Sequence, residues 1–204
     1  MHPHAMIDLE TMGLNLCTAP ILQIGCTLFH PRKPGILAAW STRISMSSNE
    51  ECGRFEEKKT REEFWDKQEP ELLAKLLSGT DHLISAVGSL AGFLRQHDVG
   101  EVWSNGSTFD IAMLAIAYEN LKVGLPWDFR LVRDTRTIWA LAADRYPPFL
   151  KHTQELQQIL GWQRYEGDDI RHDALSDCLR QTLMVQMAYA ITDMDRIQLK
   201  QIAL

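Results

Sequence analysis

Asp8 and Glu10 stand two residues apart in the run Met6-Ile7-Asp8-Leu9-Glu10-Thr11-Met12-Gly13. A strand repeats its side-chain direction every second residue, so both carboxylates share one face if this run is a strand. Side by side they repel, and a hard divalent cation held by oxygen ligands relieves that repulsion. Thr11, Met12 and Gly13 then turn the chain. The pair therefore sits at the strand's carboxyl end, where α/β sheets usually carry their chemistry. The plainer reading is a solvated face with Ile7 and Leu9 turned inward, and a D-x-E pattern alone does not separate the two.

Three more positions add imidazole and carboxylate. Asp110 stands at the start of the apolar helical stretch Ile111–Leu121. Two readings of it stand level: a capping box, Ser107-x-x-Asp110, or a metal ligand. Further on, His172 and Asp177 are five residues apart. Within one regular helix they would lie about 140° apart around the axis and would not converge. Asp173, however, is a good N-cap, with Ser176 at the third helical position. His172 then lies outside the helix mouth and Asp177 inside it, so the two can flank one site. A lone histidine before a helix is otherwise an ordinary surface residue.

The elements that must position these groups alternate in type. Ile21–His30 reads as a second strand, Pro31, Pro34 and Gly35 as a turn, and Ile36–Ile44 as a third strand. Residues 49–59 read as a loop. Thr60 with Glu63 has capping-box spacing for a short helix through Phe64, Trp65 and Lys67, and Pro70 opens another that runs to Leu77. Leu83–Gln96 has apolar residues at helical spacing. Glu101–Asn105 reads as a strand and Phe129–Val132 as a fifth, after which Asp134 or Thr135 caps a helix from Arg136 to Ala143. His152–Leu160 is a further helix, stopped by Gly161. The final helix runs through Leu183, Val185, Met187 and Ala190, its methionines serving as core filler.

The chain has 204 residues, enough for one α/β domain over 1–204 with a C-terminal tail from about 192. Apolar residues make up 45% and charged residues 24%, ordinary for a soluble domain. His2, Pro3 and His4 do not resemble the start of a signal peptide, and the apolar stretch Leu83–Leu94 is too short to span a bilayer. Cys17, Cys26, Cys52 and Cys178 lack metal or redox spacing and suit reduced thiols in the cytoplasm. A net charge of −6 argues against a large basic nucleic-acid surface, though not against an enzyme that grips a few nucleotides through bound cations.

Taken together, Ile7-Asp8-Leu9-Glu10-Thr11, Ser104-Asn105-Gly106-Ser107-Thr108-Phe109-Asp110 and His172-Asp173-Ala174-Leu175-Ser176-Asp177 resemble, in order and spacing, the three motifs of the DEDDh 3′-5′ exonucleases. Asp134-Thr135 looks like a pair that often follows the fifth strand in that superfamily. The sequences Ile-Asp-Leu-Glu-Thr-Met-Gly, Ser-Asn-Gly-x-x-Phe-Asp, Arg-Asp-x-Arg-Thr-Ile and Phe64-Trp65-x-x-Gln68 are similar to the phage and prophage, exonuclease VIII-like branch. The resemblance covers about residues 6 to 190.

It implies a ribonuclease H-like α/β fold, a mixed five-stranded sheet flanked by helices. It also implies hydrolysis of phosphodiester bonds from the 3′ end of single-stranded DNA or RNA, releasing nucleoside monophosphates, with two Mg2+ or Mn2+ ions. Asp8, Glu10, Asp110 and Asp177 become the metal ligands and His172 the base that deprotonates the attacking water. Thr11 and Met12 are expected at the terminal nucleotide, with Asn105 and Phe109 contributing. Arg130, Arg133, Arg136, Lys151 and Arg171 are candidates for phosphate contacts, each also readable as a solvated surface charge. No membrane partner is expected. A homodimer could form through residues 197–204, which could equally be a docked tail. Two other functions compete: a ribonuclease H-type endonuclease, and a nucleic-acid-binding adaptor on the same fold.

Overall fold

The computed structural model describes residues 2–167, 170–195 and 198–199. Strands β1 (His4–Thr11), β2 (Ile21–His30) and β3 (Lys33–Arg43) form an antiparallel meander. Helices α1 (Met46–Glu51), α2 (Lys58–Glu63), α3 (Pro70–Leu77) and α4 (Leu83–Gln96) follow. Then come β4 (Glu101–Ser104), α5 (Asp110–Asn120), β5 (Val132–Asp134), α6 (Thr135–Arg145), α7 (Thr153–Ile159) and α8 (Ala174–Asp193). The sheet is mixed, in the order β3-β2-β1-β4-β5, with β4 and β5 parallel to β1. This is the five-stranded, helix-flanked α/β sheet that the sequence predicts.

Both faces of the sheet are covered, which is why β2 is buried without a break from Ile21 to Phe29. Ala5, Ile7, Leu9, Ile24, Cys26 and Leu28 pack against the apolar stripes of α4 and α5. Their alternate neighbours Met6 and Phe29 pack with Ile138 of α6 and with Cys178 and Leu183 of α8. Asp8 and Glu10 fall on that second face by the same period of two. A smaller cluster of Met12, Leu22, Trp65, Leu73 and Leu76 fastens the segment around α2 and α3 beside the end of β1. Among the described residues no helix is long and apolar enough to cross a membrane.

Several boundaries differ from the sequence reading. β3 begins at Lys33, so Pro34 and Gly35 lie inside it rather than in a turn before it. An edge strand tolerates a proline that cannot donate, and Gly35 takes φ +114° where the β2–β3 register slips. The strand expected at Phe129–Val132 is a 3-10 turn, Phe129–Leu131, with Asp128 accepting from the Arg130 N–H at 2.9 Å; the strand itself is Val132–Asp134. Thr60 lies within α2, whose N-cap position is Glu57 with no side-chain cap, so no capping box forms there. Trp65–Lys67 is a separate 3-10 turn. α8 runs to Asp193, just past the expected start of the tail. Most of the segment 197–204, expected to pair or to dock, lies outside the described residues.

Candidate active site

Asp8 and Glu10 occupy the last turn of the β1 pleat, paired in register with Gly25 and Gln23 of β2. The β1–β4 ladder ends at Met6, opposite Trp103. Beyond it Asp110, the first residue of α5, enters from the side, and its buried carboxylate accepts from the backbone N–H of Leu9 and from its own. The capping-box reading of Asp110 is overturned. Phe109 holds the N-cap position without a side-chain bond, and Ser107 instead gives its N–H (2.7 Å) and hydroxyl (3.2 Å) to Asp134. Asp134 also accepts from the Arg136 N–H at 2.9 Å as the cap of α6, the role expected for it.

His172 lies immediately outside α8, with φ +56°, and Asp173 caps the helix by accepting from the Ser176 N–H at 3.3 Å. The left-handed backbone at His172 aims its ring across the helix mouth. One ligand atom each from Glu10, His172 and Asp177 lie within 4.8 Å of one another. Asp177 pairs with Arg180. One turn further along α8, Gln181 donates to Asp8 Oδ1 at 2.7 Å. Its other amide atom, Oε1, is buried with no hydrogen-bond partner among the described residues.

The mouth of α8 is fixed to the sheet by groups whose meaning depends on cross-strand register. The Gln23 amide donates to Asp173 Oδ2 at 3.3 Å and accepts from the Ala174 N–H at 3.2 Å. Lys75 of α3 reaches Asp173 Oδ2 at 3.4 Å. At Gly25 a Cβ would stand 2.4 Å from the backbone carbonyl of Ala174, so only glycine lets the helix approach this closely.

Burial, then the charges of Asp110 and Glu10, raise the Asp8 carboxyl well above the usual range. Burial, followed by Asp173 and Asp110, lifts Glu10 to about 8, against the pull of Arg180. Asp110 is pushed to about 7 by burial, although its backbone hydrogen bonds oppose this. Such a group of acids gains most from a cation that neutralises it. Carboxylate oxygens suit a hard divalent ion, and the unpartnered Gln181 Oε1 offers an acceptor for its hydration shell. His172 shifts the other way. Burial, then Arg171 and Arg180, hold its imidazole below its ordinary value, so it is neutral and able to take a proton.

A cleft of about 460 Å³ opens beside Glu10, walled by Leu9, Thr11, Phe64, Trp65 and Phe109. The His172 ring meets the Phe64 ring edge-on at 5.0 Å and Trp65 at 6.3 Å. Trp65 is locked by its indole N–H, which donates to the Thr11 carbonyl at 2.9 Å. Of the four residues expected at the nucleotide, Thr11 and Phe109 are on this wall. Met12 is not: it lies just past the end of β1 and is fully buried with Leu22 and Trp65. Asn105 is not on the wall either, since its side-chain oxygen accepts from Arg136 Nε (3.1 Å) and the Thr135 hydroxyl (3.3 Å) as a strut between β4 and α6.

Residues 3–189 match the model of the family described as the 3′-5′ exoribonuclease Rv2179c-like domain. The chain belongs to this family. Two solved structures share its fold. One is the nuclease domain of 3′hExo, described as a DEDDh family member bound to rAMP, with a TM-score of 0.57 over 92% of each chain at 12% identity. The other is Pop2p of S. pombe in a form with Mg2+ and Mn2+ bound, with a TM-score of 0.53 over 95% of this chain and 86% of the other at 15% identity. A search of curated proteins gives no match.

In this Rv2179c-like chain three of the arginines expected at phosphates are engaged elsewhere. Arg130 pairs with Asp128 at 3.2 Å, Arg133 with Glu101 at 2.6 Å, and Arg136 holds Asn105. Lys151 is exposed, and Arg171 lines a second cleft. The sequence reading missed Gln23, Gly25, Phe64, Trp65 and Gln181 as site components. Gln181 was within reach of inspection, because it follows Asp177 by four residues and so shares its helix face.

Proposed function

We propose that the protein is a metal-dependent 3′-5′ exonuclease that shortens single-stranded RNA, releasing nucleoside monophosphates by a two-ion mechanism. Membership of the exoribonuclease family makes it a phosphodiester hydrolase working from the 3′ end, and the family's description favours RNA over DNA. The observation that carries the reading is the convergence of Glu10, His172 and Asp177 beside Asp8 and Asp110.

Asp8, Glu10, Asp110 and Asp177 would hold Mg2+ or Mn2+, which, when bound, offsets charge on the phosphoryl oxygens and acidifies the attacking water. The chain's own groups do the rest. His172, neutral and outside the helix, takes the proton of that water as its oxygen attacks phosphorus. Gln181 orients Asp8. Phe64 and Trp65 limit the imidazole's swing, and the apolar wall with Phe109 receives the terminal nucleoside.

The test is incubation of 5′-labelled RNA and DNA oligomers with Mg2+ or Mn2+. A ladder shortening from the 3′ end, faster for RNA, is expected, with losses of at least about a hundredfold in Asp8→Ala and His172→Ala. Cleavage of a circular strand would make the protein an endonuclease instead. Tight binding of 3′ ends with no turnover would make it an adaptor.

The same reading takes residues 1–204 as one catalytic domain, in the exonuclease VIII-like branch by its Ile7–Gly13 run. It also takes the protein as a homodimer in the cytoplasm, a setting that suits its four free thiols. Sedimentation at micromolar concentration tests the pairing.

A further inference from the structure

A second cleft, about 380 Å³ in volume, runs between α7 and α8, with Arg164, Arg171 and Arg180 on its walls beside Gln157, Leu183 and Met184. No acidic side chain is among the described residues lining it, although the chain as a whole carries a net charge of −6. Arg164 and Arg171 are exposed. Arg180 is fixed, its guanidinium pairing with Asp177 and donating to the Ile170 carbonyl at 3.1 Å. It adds positive field to the cleft.

The cleft borders the catalytic group. Arg171 is the residue before His172, and Arg180 lies one helical turn beyond Asp177. The opposite neighbour of His172 is Phe64, which walls the first cleft. His172 thus stands between an apolar aromatic cleft and a basic one. Proteins that bind single strands regardless of sequence combine these two elements, stacking surfaces for bases and a cationic groove for the backbone. The planar guanidinium suits phosphate oxygens better than an ammonium does.

We propose that the α7–α8 cleft binds the phosphodiester backbone of the strand on the 5′ side of the scissile bond, with Arg164 and Arg171 as its phosphate contacts. The proposal rests on the exonuclease reading for its choice of ligand, and its test is independent of turnover.

The test is equilibrium binding of 5′-fluorescein RNA of two and of ten nucleotides, with Ca2+ in place of Mg2+, across a salt series. The double variant Arg164→Ala/Arg171→Ala should weaken decamer binding about tenfold or more and leave the dinucleotide unchanged. The slope of log affinity against log salt should fall by about 1.4, since each single-strand phosphate contact contributes about 0.7. Arg164→Lys/Arg171→Lys should keep most of that slope. Unchanged decamer binding overturns the proposal, as does equal weakening at both lengths. Selective loss of adenosine monophosphate binding would make the cleft a product site and also overturn it. If the wild type shortens RNA while the alanine variant binds the decamer normally, the cleft proposal fails alone. If the arginines govern binding and no strand is shortened, the exonuclease reading fails alone.

Discussion

The Gln23 side chain grips both the cap and the first turn of α8, donating to Asp173 at 3.3 Å and accepting from the Ala174 N–H at 3.2 Å. Because Gln23 is paired with Glu10 across the β1–β2 ladder, one amide sets the distance between the strand carboxylates and the His172–Asp177 half of the site. Gln23→Leu would leave a buried carboxylate and a buried N–H short of a partner, at about 1–3 kcal/mol. The expected result is a lower melting temperature, a kcat reduced about tenfold and an almost unchanged KM. A variant with wild-type kcat would show that α8 needs no such clamp.

Gly25→Ala probes the same joint sterically. The added methyl would stand 2.4 Å from the Ala174 backbone, which cannot rotate away as a side chain could. Overpacking of this kind costs about 1–3 kcal/mol, or roughly 2–12 °C in Tm for a chain of this size. Displacing the helix start should also weaken Mn2+ binding measured by calorimetry. Gly88 in α4, where an added Cβ meets nothing within 4 Å, is the control, and its alanine variant should bind Mn2+ as the wild type does.

The acidic cluster sets a pH dependence whose sign is fixed. Glu10 moves from 4.5 to about 8 on folding and Asp110 from 3.8 to about 7. The folded, cation-free protein therefore holds more protons than the unfolded chain, and its stability falls as pH rises between those limits. These contributions are complete below the unfolded values and lost by about pH 8. Asp173 acts in the other direction. Burial raises it, but its hydrogen bonds from Ser176, Gln23 and Lys75 win and hold it low, so its contribution disappears as pH falls through its folded value. Melting in EDTA should peak in mildly acid buffer. The gain in Tm on adding Mn2+ should widen from pH 5 to pH 8, where the carboxylates must otherwise ionise against one another. A gain that is constant with pH would contradict this account.

How much of this was legible beforehand differs element by element, for physical reasons. Leu83–Gln96 was readable to the residue because its buried positions repeat at helical spacing. Asp173 was readable as a cap because capping is decided within four residues. Thr60 and Phe129 misled for the converse reason: a capping pattern and a short apolar run are local signals that tertiary packing overrode. Met12 is buried by Trp65, Leu73 and Leu76, partners far along the chain that no local pattern names. Gln23 and Gly25 carry no signal of their own, because their role is defined only by what lies opposite them. The acidic positions themselves stood out, since like charges brought together by period and spacing call for a ligand.

Phe64 offers the sharpest separation between holding the base and holding the cation. Its ring lies edge-on to His172 at 5.0 Å and also walls the cleft beside Glu10, but it carries no donor for a metal. Phe64→Ala should free the imidazole to leave its position over the helix mouth, lowering kcat by about tenfold, less than the hundredfold or more expected for His172→Ala. The opened wall should raise KM as stacking area for the terminal nucleoside is lost, at about 1–3 kcal/mol per base. Mn2+ affinity should stay at the wild-type value, because every proposed ligand is intact. Steady-state kinetics on an RNA oligomer, paired with Mn2+ titration, reads all three quantities on one preparation. If Mn2+ affinity fell in step with kcat, the aromatic pair would be supporting the whole mouth of α8, and the role assigned to it beside His172 would be wrong.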